Sequence, residues 1–244
     1  MEQGVLFSRV RVLHAACFAP AVGVVIGNRE VVQELRYGEA SGYTRITGGF
    51  RRVTIVSRDT GEELLSETVP FPEGSQQTLV LCSTMNQLSL VPMPETACDA
   101  GKGKGCFRTA NFTFDDGPFR VMQDGDTVFA CVAPCSVTSF LPAAAGSYDF
   151  WLTRTEDCAS LPEFAKQAPG STDTGGMVRP ESESAGASAG REEAAAFPES
   201  MSGMPLPESA GEIYVRVMPG VSYTACILGA CGSDVPLEIK ILEF

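Results

Sequence analysis

Short apolar or alternating runs, separated by clusters of Gly, Pro, Asn and Asp, dominate the first part of this chain. Arg9-Val-Arg-Val-Leu13 alternates basic and apolar side chains, the period of a half-buried strand. His14 to Pro20 turns the chain, and Val22 to Ile26 predicts a second strand. Gly27-Asn28 is a hairpin signal leading into Glu30 to Leu35. Tyr37-Gly38 to Tyr43 marks a corner, and Gly48-Gly49 opens a long strand over Arg51 to Ser57. Asp59-Thr-Gly61 returns it as Glu63 to Val69. After Pro72-Glu-Gly74, Thr78-Leu-Val-Leu-Cys82 is a continuous apolar run suited to a buried central strand, and Gln87 to Val91 closes the unit. About seven short strands joined by tight turns predict a β-sandwich.

A degenerate copy follows. Pro92-Met-Pro94 through Gly101-Lys-Gly-Lys-Gly105 has linker composition, and it lacks the Lys-Ser/Thr ending of a phosphate loop. Beyond it Arg108 corresponds to Arg11, Asn111 to His14, and Pro118 to Pro20. Val137 to Phe140 parallels Ala40 to Tyr43, and Phe140 to Gly146 repeats the interval from Tyr43 to Gly49. Tyr223 to Leu228 matches the Thr78 strand, and Leu237 to Leu242 matches Leu88 to Val91. The expected organisation is therefore a first sandwich over 1–94, a linker over 95–105 and a second sandwich over 106–244. Where the first copy has the hairpin Ser57 to Glu62, the second carries a Pro/Ser/Gly/Ala/Glu-rich insertion at about 157–210. Its composition is that of a disordered segment.

This duplication also decides how to read the start of the chain. Basic Arg9 and Arg11 before an apolar run, with Leu13-His-Ala-Ala-Cys17, imitate a leader peptide. Leaders are not repeated in mid-chain, yet Arg108 to Val121 has the same layout. Arg9 to Gly27 is therefore expected to be strand, corner and strand, leaving no visible export signal.

Charge and cysteine content narrow the function. The net charge is −12, which disfavours nucleic acid, since phosphate binding needs clustered cations. No window approaches the ~20 uninterrupted apolar residues of a membrane-spanning helix. The nine cysteines are an odd number. They imply disulfides if the protein is exported and small buried hydrophobes otherwise. Cys98 and Cys106 flank the linker and are candidates for a small closed loop, and Cys135 with Cys231 for a crosslink between neighbouring loops. Cys131-x-x-x-Cys135 and Cys226-x-x-x-x-Cys231 are thiolate candidates for a soft metal, although structural zinc usually shows tighter spacing.

Other chemistry is sparse. The single histidine, His14, excludes a multi-histidine metal site and is expected to pin the turn after it by a hydrogen bond. Gly186-Ala-Ser188-Ala-Gly190 matches the nucleophile-elbow pattern but lies in low-complexity sequence, far from any histidine in the same unit. Asp115-Asp116 and Asp124-Gly-Asp126 bring carboxylates together, and Asp124-Gly125 falls where a solvated hairpin turn belongs. Asn111-Phe-Thr113 fits a glycosylation sequon, meaningful in a eukaryotic secretory setting. Tyr37, Tyr43 and Trp151 are candidates for a sugar- or peptide-binding face or, more commonly, for core packing. Nothing implies a cofactor.

Val10-Arg11-Val12-Leu13-His14-Ala15, Ala19-Pro20-Ala21-Val22, Tyr37-Gly38 with Tyr43, and Leu88-Ser-Leu-Val-Pro92-Met-Pro94 together resemble a bacterial family of tandem β-sandwich repeats. That family is catalogued as a domain of unknown function. The second copy is divergent, lacking the His and the Tyr-Gly pair. The resemblance implies two immunoglobulin-like antiparallel sandwiches, often on exported or surface proteins. It marks His14, Pro20, Tyr37, Gly38, Tyr43 and Gly49 as structural motif residues and supplies no catalytic ones. The expected function is non-catalytic binding, adhesion or envelope structure by a monomer with a protein or carbohydrate ligand. The alternatives are a cysteine-based thiol or metal module in the second repeat, or an enzyme of unrecognised class.

Overall fold

The structure is a computed structural model, and it describes residues 7–84, 87–96, 98–114, 116–155, 158, 209–229 and 235–244. The first repeat contributes β1 (Phe7–His14), β2 (Val22–Ile26), β3 (Arg29–Leu35), β4 (Thr44–Thr47), β5 (Gly49–Ser57), β6 (Glu63–Phe71), β7 (Gln76–Thr84) and β8 (Gln87–Pro94). They form two sheets, ordered β4-β1-β7-β8 and β3-β2-β5-β6. Val10, Val12, Leu79 and Leu81 of one sheet pack against Val24, Val53, Ile55 and Phe71 of the other. This is the expected sandwich.

The second repeat contributes β9 (Lys104–Asn111), β10 (Phe119–Gln123), β11 (Asp126–Val132), β12 (Ser136–Val137), β13 (Leu141–Ala144), β14 (Gly146–Arg154), β15 (Gly211–Val217), β16 (Ser222–Leu228) and β17 (Glu238–Glu243). Its sheets run β12-β9-β16-β17, with β13 also on β9, and β11-β10-β14-β15. Phe107, Phe119, Phe150, Leu152, Ile213 and Tyr223 fill the core between them. The registers coincide between copies. Arg11 lies beside Thr78 as Arg108 lies beside Thr224, and Gly49 faces Phe71 as Gly146 faces Val217. Asp124 and Gly125 take positive φ at the β10–β11 hairpin, the turn their sequence predicts.

Two details differ from the sequence reading. The sheets are not wholly antiparallel, because β1 runs parallel to β7 and β9 parallel to β16. Nor is β1 half-buried: from Val10 to His14 every residue is buried. Alternation told which side chains face the core; it did not reveal that the opposite face is covered too. The insertion springs from between paired strands. Leu152 faces Gly211, and the Ala210 amide donates to the Leu152 carbonyl at 2.7 Å. The two strands thus pair as β5 and β6 do. Most of 157–210, with Gly186 to Gly190, lies outside the described residues.

Candidate functional site at the seam between the repeats

What covers β1 is the other repeat. A third apolar cluster joins Leu13, Ala15, Val80, Cys82 and Met93 of the first copy to Ala110, Phe112, Cys226, Leu228 and Leu242 of the second. The strand registers make each residue of the first set the counterpart of one in the second, in that order. The seam is therefore pseudo-symmetric, like the isologous interface of a two-fold dimer. The β1–β7 sheet packs on the β9–β16 sheet, and the described strands form four layers of sheet. Leu79 and Leu81 of β7 face their own core, while Val80 and Cys82 face the seam.

A buried ion network lies at the same place. Arg11 is 8% exposed, and its Nη2 lies 2.8 Å from Oε1 of Glu95, whose side chain is wholly buried. That is an ion contact rather than an aligned hydrogen bond, for Nη2 has no acceptor in hydrogen-bond geometry. Arg11 Nε donates to Thr78 Oγ1 at 2.8 Å, and the Thr78 hydroxyl donates to Glu95 Oε1. Tyr43 OH and Gln76 Nε2 donate to Glu95 Oε2 at 2.5 and 2.8 Å. Burial, with the Glu95 carboxylate beside it, raises the Tyr43 phenol pKa, and the Tyr43 ring lies under the Arg11 guanidinium.

The second repeat keeps the arginine without the acid. Arg108 Nε donates to Thr224 Oγ1 at 2.9 Å, and its guanidinium lies 4.1 Å from the Phe140 ring centroid. Phe140 thus stands where Tyr43 does. Glu95 N–H donates to the Gln76 carbonyl as Phe244 N–H donates to that of Ser222, so Phe244 holds Glu95's position. Arg108 Nη2 reaches across to the Pro94 carbonyl at 2.8 Å. Burial pulls the Arg108 pKa down to about 10, against the opposing fields of Cys226 and Glu95. The carboxylate thus pairs with Arg11 alone, and Arg108 of the other repeat lies within its field.

His14 does what its position predicts. The Ala16 amide donates to Nδ1 at 3.3 Å, so Nε2 carries the proton and donates to the Pro20 carbonyl at 3.0 Å. Burial lowers its pKa. Asn111 replaces it in the second copy: Thr113 N–H donates to Oδ1 at 3.0 Å and Nδ2 donates to the Val132 carbonyl at 3.1 Å. Asn111 is fully buried, so its sequon is closed to glycosylation in the folded protein. Tyr37 meets the His14 ring edge-on. Burial and the Glu238 carboxylate push its phenol up to about 12.

The linker cysteines pair as expected, and the others sort differently. Cys98 and Cys106 form a disulfide across the linker, and Cys131 is bonded to Cys158. Cys17 is also in disulfide form. Cys131 is therefore removed from the proposed thiolate set. Cys226 is wholly buried in the seam, and no group of three metal-ligating side chains occurs among the described residues. Cys231 lies outside those residues. Cys135, expected to crosslink to it, is a free thiol. Its turn aims it at the first repeat instead, with Sγ 3.3 Å from Cys82 Sγ.

Outside the seam the carboxylates are ordinary. Asp116 takes a bidentate contact from Arg154 at 2.6 Å, and Asp124 sits in its exposed turn. Of the aromatic candidates, Tyr37 packs against the seam cluster and Tyr43 belongs to the ion network. Only Trp151 faces solvent, at 36% exposure, accompanied by Tyr214 at 63%. The sequence reading missed Glu95, Arg108, Cys82 and Tyr214 as participants. Aligning Glu95 with Phe244 would have flagged the acid as particular to one copy.

Residues 8–121 match the family model described as "Domain of unknown function (DUF4397)", a span running from β1 across the linker into β10. No curated protein matches the chain.

Proposed function

We propose that this chain, whose residues 8–121 match the DUF4397 model of a domain of unknown function, is a non-catalytic carbohydrate-binding protein of the cell envelope or extracellular space. One observation carries this reading: among the described residues, the groups best suited to acid–base work are committed to structural contacts. Both nitrogens of the single histidine are engaged by backbone, and Glu95 is enclosed by its donors. The outer face of β14–β15 instead presents flat aromatic surface. Trp151 faces Glu212 and Tyr214 faces Asp149, so the two residues hold diagonal cross-strand positions, with the Tyr214 hydroxyl 3.2 Å from Ser147 Oγ. Such rings, flanked by carboxylates, suit the apolar face and hydroxyl rim of a sugar. The disulfides support an oxidising compartment.

A glycan array probed with the full-length protein tests the reading. Trp151→Ala and Tyr214→Ala should each weaken capture about tenfold, a loss of ~1.4 kcal/mol, without altering the folded far-UV spectrum. Capture indifferent to both substitutions overturns the assigned face. Hydrolytic turnover abolished by one point substitution overturns the non-catalytic assignment.

A further inference from the structure

We infer that Cys82 and Cys135 are an oxidisable pair, and that a disulfide between them staples the first repeat to the second across the seam. The inference does not depend on the carbohydrate reading. Cys82 lies on β7 of the first repeat and Cys135 in the turn before β12 of the second, their sulfurs 3.3 Å apart. Closing to a disulfide bond of about 2.05 Å needs a sulfur displacement of little more than 1 Å.

The backbone at Cys135 supplies an independent observation. Ala40 bridges Leu13 as Val137 faces Ala110, so Cys135 occupies the position of Gly38 in the other copy. Gly38 has φ +78°, and Cys135 has φ +53°. Left-handed backbone is natural for glycine and uncommon for a residue with a side chain. The second repeat keeps the conformation while replacing glycine with cysteine, and the side chain so placed meets Cys82. Pseudo-symmetry makes the pair single: Leu228 stands where Cys82 does, so the related half of the seam has neither thiol.

Exposure divides the roles. Cys135 is half-buried while Cys82 is fully buried. The Cys82 thiol donates toward the Cys135 sulfur and brings the Cys135 pKa down to about 7, while that contact and burial raise Cys82's own. Cys135 is therefore the thiolate that an external disulfide reaches first. It attacks one sulfur of that oxidant, forming a mixed disulfide and expelling one thiolate. Cys82, giving up its proton, then attacks Cys135 Sγ and expels the second. The protein loses two electrons and two protons, and the oxidant becomes two thiols. Cys226, with no described sulfur partner and its pKa pushed up to about 12 by burial, stays reduced, as an odd cysteine count requires of one residue in a monomer.

Full-length protein incubated with oxidised glutathione, alkylated in denaturant and mapped without reduction should yield a peptide pair joined through Cys82 and Cys135. Cys226 should be alkylated. Cys82→Ser should trap a glutathione adduct on Cys135. Cys135→Ser should leave Cys82 unmodified until the protein is unfolded. Two facts would overturn the inference: both thiols remaining alkylatable in wild-type protein after the oxidant, or a glutathione adduct persisting on wild-type Cys135 without transfer. The wild-type map decides even if a variant does not fold.

Discussion

Glu95 is the residue on which the largest single effect is expected. Its carboxylate accepts from Tyr43, Gln76 and Thr78 and lies against Arg11, and Arg108 of the other repeat senses it. Removing the charge leaves the buried Arg11 guanidinium without its anion. Breaking a buried pair this way costs about 3–5 kcal/mol, so Glu95→Gln should lower the unfolding free energy by that order in urea titrations. Tyr43→Phe removes one charge-assisted donor and should cost about 1.5–3 kcal/mol. His14 gives a pH signature. Its folded-state pKa lies below 6.5 because burial disfavours the imidazolium. Below pH 6.5 the unfolded chain therefore binds more protons, and the histidine's contribution, fully present above that pH, is lost as pH falls through the folded value. Substituting the second repeat's own solution, His14→Asn, should flatten the difference between Tm at pH 7 and pH 5, as read by calorimetry. The role of His14 was legible from its place before a turn. That of Glu95 was not, because nothing local distinguishes it from a solvated acid beside a linker.

Among the elements, β7 shows most plainly what strand periodicity can and cannot reveal. Its run from Thr78 to Cys82 reads correctly as a central strand, and β1 and β8 flank it. The division of its two faces between separate cores is invisible in the run itself, since both are apolar. Leu79 packs inside the first sandwich and Val80 against the second. If the outer face were solvated, Val80→Ala would change stability by no more than ~0.5 kcal/mol. With the seam in place, loss of two buried methyl groups should cost roughly 1–3 kcal/mol, and Leu228→Ala, across the seam, about 2–5 kcal/mol. Equilibrium denaturation of each variant measures this directly. Basic residues alternating along β1 misled for the same reason: Arg9 is exposed, whereas Arg11 is buried in the ion network.

For the whole molecule, the duplication has a consequence that neither repeat shows alone. The buried residues at the seam are counterparts of one another, so the chain reproduces within itself the self-complementary contact of a symmetric dimer. Order, spacing and turn chemistry made both repeats legible; their face-to-face packing is a long-range relation that no window of sequence carries. Because the seam contains apolar side chains from both units and the hydrogen bond from Arg108 to the Pro94 carbonyl, the repeats should unfold as one cooperative unit. The protein's single tryptophan, Trp151, reports on the outer sheet of the second repeat alone, whereas far-UV dichroism sums over both. In wild-type protein the two transitions should coincide in urea. Val80→Asp places an uncompensated charge in the seam and should separate them, the dichroism spreading over two steps while tryptophan follows one. Coincident, unshifted transitions in that variant would mean that the repeats do not depend on each other.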